Sequence, residues 1–179
     1  MNLLHVIPYY APAWSYGGSV RAAADLTRAL VQAGHNVTVL TTDTLSPAER
    51  IPTLHDTIGG VEVVRVRNRS NWLRGRLNLS TPVDIAATAE RLIRERQIDA
   101  IHAHELRTVE NLRVTPVANR LGVPLLVSPH GTLPYDTGRS SVKVLWDRAL
   151  GKRLLPRFDG VIALTANEAA DAHQIWNAC

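Results

Sequence analysis

Residues 3–34 read LLHVIPYYAPAWSYGGSVRAAADLTRALVQAG, and the order of events in this stretch decides the fold. Leu3 to Ile7 is an apolar run of strand length closed by Pro8, and it reads as a buried first strand. From Val20 to Ala33 the residues Ala22, Leu26, Ala29, Leu30 and Ala33 follow helical spacing, with Ser19 as the expected N-cap and Gly34 as the stop. Between the two lies a loop of aromatics and prolines that ends in Gly17-Gly18. Strand, glycine-bearing loop and helix in that order open an α/β unit.

The same alternation continues outward. Val37–Leu40 reads as a second strand, and Val61–Val66 as a third, entered through a Gly59-Gly60 turn after a polar loop with Pro47 and Pro52. Thr81-Pro82-Val83-Asp84 carries the marks of a helix start: a Thr cap, Pro at the first helical position and an acid in the first turn. Ile85, Ala89, Leu92 and Ile93 then form its buried face, and the strand Ala100–Ala103 follows.

Leu112–Leu121 has helical spacing that Pro116 should delay or kink, and Gly122-Val123-Pro124 ends it before the strand Leu125–Ser128. A helix over Val144–Leu155, a strand over Val161–Leu164 and a capping box at Thr165-Ala166-Asn167-Glu168 complete the series, the last opening a helix toward Trp176. The chain is therefore predicted to be α/β: a Rossmann-like, doubly wound parallel sheet in a three-layer α/β/α sandwich. One domain spans 1–179, with its ligand site beyond the carboxyl ends of the strands.

Bulk properties agree with one folded unit. The 179 residues suffice for a well-buried core, and 45% hydrophobic with 20% charged residues excludes a disordered or collagenous chain. The net charge of +4 favours anionic partners. Cys179 is the sole cysteine, which leaves no internal disulfide and no thiolate cage, and a reducing cytoplasmic setting fits this best. Met1–Ile7 is too short for a secretory h-region and lacks a basic n-region, and no apolar run approaches the ~20 residues of a membrane span. Membrane contact, where there is any, is expected to be peripheral.

Three strand ends carry chemistry. Gly17-Gly18 precedes a helix whose unpaired N–H groups and positive end suit a phosphate, and Arg21 in the first turn adds a forked cation. The pattern is neither a dinucleotide fingerprint nor a Walker loop. At Asp99-Ala100-Ile101-His102-Ala103-His104-Glu105, strand alternation puts His102 and His104 on one face, His104 being the nearer to the strand end. At Ser128-Pro129-His130-Gly131-Thr132-Leu133, a histidine follows a strand and Gly131 removes bulk beside it, so His130 can bind a sugar hydroxyl or share a proton. The trio His102, His104 and His130 also raises a zinc hydrolase as an alternative, weakened by the lack of a carboxylate at the usual zinc spacing.

Gly17-Gly18 with Arg21, Ala33-Gly34-His35-Asn36-Val37-Thr38-Val39, Ile101-His102-Ala103-His104, Pro129-His130-Gly131-Thr132 and Asp159-Gly160-Val161-Ile162-Ala163-Leu164-Thr165 together resemble the retaining glycosyltransferases of family 4, which have the GT-B fold. The resemblance covers nearly the whole chain. It implies one half of a GT-B enzyme, the N-terminal acceptor-side domain, with the C-terminal donor-binding domain and its paired-glutamate element absent from this chain. It further implies transfer of a sugar from a nucleotide-sugar donor to a saccharide or lipid-linked acceptor with retention, with this fragment inactive alone, and no metal or other cofactor. By the same resemblance Gly17, Gly18 and Arg21 would meet the donor phosphates and His130 the transferred sugar. Tyr16, His104, Glu105, Gly131 and Thr132 would line the acceptor or sugar side. A non-catalytic sugar- or nucleotide-binding module is the other alternative.

Two basic segments remain. Arg65, Arg67, Arg69, Arg74 and Arg76 surround Trp72, and Lys143–Phe158 mixes Lys143, Arg148, Lys152, Arg153 and Arg157 with apolar residues, as an interfacial helix does. An edge strand blunted by charge and a surface helix packed on the sheet explain the same patterns. No nucleic-acid motif accompanies the charge, and nucleic acid is not an expected partner. Glu105 and Asp136 are the candidate acids near these strand ends.

Overall fold

The computed structural model describes residues 1–70, 73, 79–134 and 140–177. Trp72, Arg74, Arg76, Asp136 and Cys179 lie outside the described residues. The strands are β1 Asn2–Val6, β2 Asn36–Thr42, β3 His55–Ile58, β4 Val61–Val66, β5 Ala100–His104, β6 Leu125–Ser128 and β7 Gly160–Val161, in the spatial order β3-β4-β2-β1-β5-β6-β7. Every pairing is parallel except β3 with β4. The long helices are α1 Gly18–Gln32, α2 Ile85–Glu95, α3 Val109–Leu121 and α5 Ala166–Asn177, with α4 Ser140–Trp146 before the last strand.

Strand alternation divides the core into two layers. Leu4, Val6, Leu40, Val64, Ile101, Ala103, Leu125 and Val127 face α2 and α3 through Ile85, Ala89, Leu92, Ile93, Val114, Val117 and Ala118. Ile7, Val37, Val39, Val61 and Val63 face α1 through Ala23, Ala24, Leu30 and Val31. Each buried aliphatic side chain contributes on the order of 1.5–3 kcal/mol, so this two-sided burial is the main force holding the sandwich. The chain runs outward from β1 to β2 and β4, then returns to place β5 on the other flank of β1. The winding thus reverses between β1 and β5, and a crevice opens at their carboxyl ends.

Several local expectations change. The sheet is not purely parallel, because Gly59-Gly60 joins β4 to an antiparallel edge strand, β3, whose His55, Asp56 and Thr57 are exposed. Helix α1 is capped by Gly17, not by Ser19, whose hydroxyl is used elsewhere. Thr81-Pro82 does not start a helix. Asn68 accepts from the Thr81 backbone N–H and hydroxyl, Pro82 is bridged to Asn68, and α2 begins only after Asp84, which adopts a left-handed φ of 55°.

Helix α3 starts earlier, at Val109, where the Thr108 hydroxyl accepts from Asn111 N. It runs through Pro116, because packing of Val114, Val117 and Ala118 outweighs the one hydrogen bond that proline removes. The stretch read as a helix over Val144–Leu155 is α4 followed by a π turn at Asp147–Gly151, a helical turn at Lys152–Leu154 and a 3-10 turn at Leu155–Arg157. Strand β7 is two residues long, so Ala163 and Leu164 lie beyond it, while Ile162 N still donates to Val127 O.

The basic face around Arg65 also needs correction. Arg65 is buried and donates to Ala11 O at 3.0 Å and Thr53 O at 3.1 Å, with Asp56 at 3.6 Å. It braces the loop after β1 from inside, whereas Arg67 and Arg69 are exposed. In the Lys143–Phe158 segment Leu154, Leu155 and Phe158 join the core and, among the large apolar side chains described there, Leu145 alone is exposed, so the segment's apolar side packs on the domain. Among the described residues no helix is long and apolar enough to cross a membrane.

Candidate functional site

The loops after β1, β5 and β6 meet at the reversal crevice. The loop after β1 delivers Gly17 with φ 100° and ψ −154°, a conformation open essentially to glycine, and thereby turns the chain into α1. No side chain caps that helix, and a Cβ built at Gly17 or Gly18 meets nothing within 4 Å. Both glycines are exposed; Gly17 N donates to Trp14 O at 3.3 Å, so the donors open to a ligand are those of the first turn of α1, beginning at Gly18. Arg21 is exposed one turn in, its guanidinium 5.6 Å over the Trp14 ring, and among the described residues it has no ion-pair partner. Tyr16 is half-buried and stacks on Tyr9 at 4.1 Å, which commits one face of its ring to packing.

Across the crevice Glu105 ends β5 with φ 63°, and its carboxylate accepts from the Ser19 hydroxyl at 2.8 Å. This bond ties the first turn of α1 to the end of β5. Ser19 was legible only as a cap, and the contact to a residue 86 positions away was not readable from spacing.

Beneath this surface sits a cluster of imidazoles. Parallel register places His5 beside His102, and alternation points His102 and His104 the same way, their rings 4.3 Å apart. His5 Nδ1 is 3.0 Å from His104 Nε2, and His104 Nδ1 is 2.8 Å from His130 Nε2, giving a continuous chain His5–His104–His130. His102 Nε2 bonds instead to Ser128 Oγ at 2.8 Å. Burial drives His5 down to about 3 and His102 to about 4, each pushed further by a neighbouring imidazole, and holds His104 well below the ordinary value. His130 is lowered by desolvation, against which the carboxylates of Glu105 and Glu168 pull upward. All four rings are neutral at neutral pH.

This arrangement revises two readings. His104 is fully buried and reaches the crevice only through His130, so direct contact with an acceptor is closed to it. The nitrogens that lie within 4.8 Å of one another belong to His5, His102 and His104, so the trio with metal-site geometry contains His5 in place of His130. His5 escaped the sequence reading because a single histidine in an apolar strand gives no local signal.

The His130 loop is held from three sides. His130 and Gly131 both take left-handed φ values, 55° and 71°, and a non-glycine residue there is strained enough to need external support. Glu168 in the first turn of α5 supplies it, accepting from Gly131 N at 2.6 Å and from Leu164 N at 2.7 Å. Arg107 donates to Thr132 O and Leu133 O at 2.6 and 3.2 Å, and pairs with Asp147 at 2.7 Å in the π turn. The Thr132 hydroxyl closes the turn by donating to Pro129 O at 2.6 Å, so it shapes the loop that presents His130. Glu168 was legible as a capping-box residue, and its second contact was not; Arg107 and Asp147 gave no signal.

Comparison with known proteins bears on this geometry. Residues 17–178 match the model of a family described as glycosyl transferase 4-like domain. No curated protein matches the chain. Among solved structures the chain is similar to MurG of Acinetobacter baumannii, with 17% identity, a TM-score of 0.51, and coverage of 93% of this chain and 42% of that one. It is likewise similar to the UDP-GlcNAc 2-epimerase of Methanocaldococcus jannaschii, with 13% identity, a TM-score of 0.53, and coverage of 97% and 42%. The chain therefore spans less than half the length of either. At these identities the two structures speak for the fold alone, one Rossmann-like half of the GT-B architecture.

Proposed function

The chain belongs to the glycosyl transferase 4-like family, and on that footing we propose that it is the acceptor-side half of an enzyme that moves a sugar from a nucleotide-sugar donor to a saccharide or lipid-linked acceptor, with retention of configuration. The observation that carries the reading is the convergence, at the β1/β5 reversal, of an open helix N-terminus behind Gly17-Gly18 with a braced, half-buried His130. In the reaction the bond from the anomeric carbon to a diphosphate oxygen breaks, and the acceptor oxygen forms the new bond. Negative charge grows on the leaving diphosphate, and positive charge on the oxocarbenium-like sugar. Gly17 and Gly18, the open α1 terminus and Arg21 would lie against the departing diphosphate, and donors meeting that growing charge would favour the transition state over the ground state.

His130 would bind the transferred sugar, with Gly131 leaving room beside it, while Glu105 and Tyr16 would border the acceptor. Donor binding needs a second lobe, on this polypeptide or another, and the 42% coverage of both neighbours supports that view. We take the chemistry to be metal-independent, since His5 Nδ1 and His104 Nε2 already hydrogen-bond each other and the buried trio includes no carboxylate to balance a dication. Cytoplasmic residence, with peripheral contact at the inner membrane face where the acceptor is lipid-linked, fits the same reading. In an enzyme with both lobes present, His130→Ala should lower transfer by about 10²–10³-fold, the usual effect of deleting one transition-state hydrogen bond, and EDTA should leave the rate unchanged. Undiminished turnover of the variant would remove His130 from the mechanism.

A further inference from the structure

The imidazole chain has a direction, and that direction decides what His130 offers a ligand. A neutral imidazole carries one proton, so in His5–His104–His130 each ring donates to one neighbour and accepts from the other. Two senses exist. In the inward sense His130 donates through Nε2, and the series ends with His5 holding its proton on Nε2. In the outward sense His5 donates from Nδ1 to His104 Nε2, and His104 donates from Nδ1 to His130 Nε2. The proton of His130 then resides on Nδ1, the ring nitrogen that bonds no described residue.

Two features select the outward sense. His5 is 1% exposed, and its Nε2 has no hydrogen-bond partner among the described residues. The inward sense would leave an N–H donor there without a protein partner, where the outward sense leaves a ring lone pair, the lesser of the two unmet demands. Glu105 and Glu168 are the charged groups acting on His130, and both lie at the outer end of the chain. Three aligned N–H dipoles point their positive ends toward those carboxylates only in the outward sense.

We infer that His5 and His104 are positioning residues that lock His130 as its Nδ1–H tautomer, so that it meets the ligand as a hydrogen-bond donor and not as a base. The partner is an oxygen of the transferred sugar or of the leaving diphosphate, both of which accept hydrogen bonds. No proton leaves His130 in this role, so the imidazole chain acts without net proton transfer. The inference rests on the proposed role of His130 for its functional meaning, while the tautomer itself does not depend on that role.

The test is long-range ¹H–¹⁵N NMR of the histidine-labelled chain at neutral pH, which separates protonated from bare ring nitrogens. The expected result is a protonated Nδ1 and bare Nε2 in His5, His104 and His130 alike. A proton on His130 Nε2 overturns the inference. The variant His5→Phe, checked for fold by the same spectra, should shift His130 toward a tautomer mixture, and His5→Asn, whose amide can donate at the Nδ1 position, should restore the single form. An unchanged single Nδ1–H form in His5→Phe would also overturn it, because His5 would then set nothing. If the tautomer is as stated and His130→Ala still transfers sugar at full rate, the assigned function fails and the imidazole lock stands.

Discussion

Acidification should destabilise this protein from about pH 6.5 downward, before most of its carboxylates titrate, and the histidine cluster fixes both the sign and the size of the effect. His5 falls from the ordinary 6.5 to about 3 and His102 to about 4, both first through burial. The unfolded chain therefore binds protons that the folded chain refuses. Stability from these groups is fully present above pH 6.5 and is lost as the pH falls toward 4 and 3, with a slope of about 1.4 kcal/mol per pH unit per group. Between about pH 7.5 and 4.5 the two groups remove on the order of 5 kcal/mol, and His104 adds to this in the same direction. Domains of this kind hold about 5–15 kcal/mol in all, so a third or more of the protein's stability is at stake while most ordinary Asp and Glu side chains are still charged.

Urea unfolding followed by circular dichroism at half-unit steps of pH measures the loss directly. His5→Phe removes one of the titrating rings and should shrink the difference between the two pH values by about 2–3 kcal/mol, whatever it does to stability at neutral pH. A stability constant to within about 1 kcal/mol over that range would refute the reasoning, since it would mean that the imidazoles charge without resistance.

Four further outcomes follow from the loops. Gly17→Ala forces a side chain into φ 100° and should destabilise the fold by about 1–3 kcal/mol in urea melts. Gly18→Ala meets no obstacle and should melt like the parent, yet weaken binding of inorganic pyrophosphate in calorimetric titration if the backbone there receives a diphosphate. Arg65→Met removes the brace on the Ala11 and Thr53 carbonyls and should cost about 2–4 kcal/mol, with proteolysis appearing first in the loop after β1. Glu168→Gln keeps one acceptor oxygen for two N–H groups and should cost about 1–3 kcal/mol, shifting Gly131 and Leu164 amide resonances before others.

The sequence made the parallel strands and the three strand-end loops readable because each is a short apolar run closed by Pro, Gly or a polar residue. It concealed β3, whose His55-Asp56-Thr57 is exposed and polar and which pairs through backbone, Ile58 and the Asp56–Arg65 contact, so no periodicity marks it. Thr81-Pro82 imitated a cap because cap and bridge call for the same residue types, and the deciding partner, Asn68, lies 13 positions away. The site was half legible for the same reason. His130, Gly17 and Glu105 announce themselves at strand ends, whereas His5, Arg107 and the second contact of Glu168 depend on parallel register and tertiary closure.

Three imidazoles on the central strands of a sheet are poor material for a core. At the equivalent depth in β2 and β4 the same face carries Val37, Val39, Val61 and Val63, which bury without any polar atom to satisfy. The sequence departs from that rule at Thr41 and Arg65 farther along β2 and β4, and most densely around the β1/β5/β6 carboxyl ends: His5, His102 and His104 are desolvated, while Glu105 and His130 adopt left-handed backbone. A structural role alone predicts apolar replacements and glycine or asparagine at those φ values. Packing therefore does not explain the cluster. An arrangement that costs stability at one end of the sheet, and is braced there by Glu168 and the Arg107–Asp147 pair, accords with the role proposed for His130.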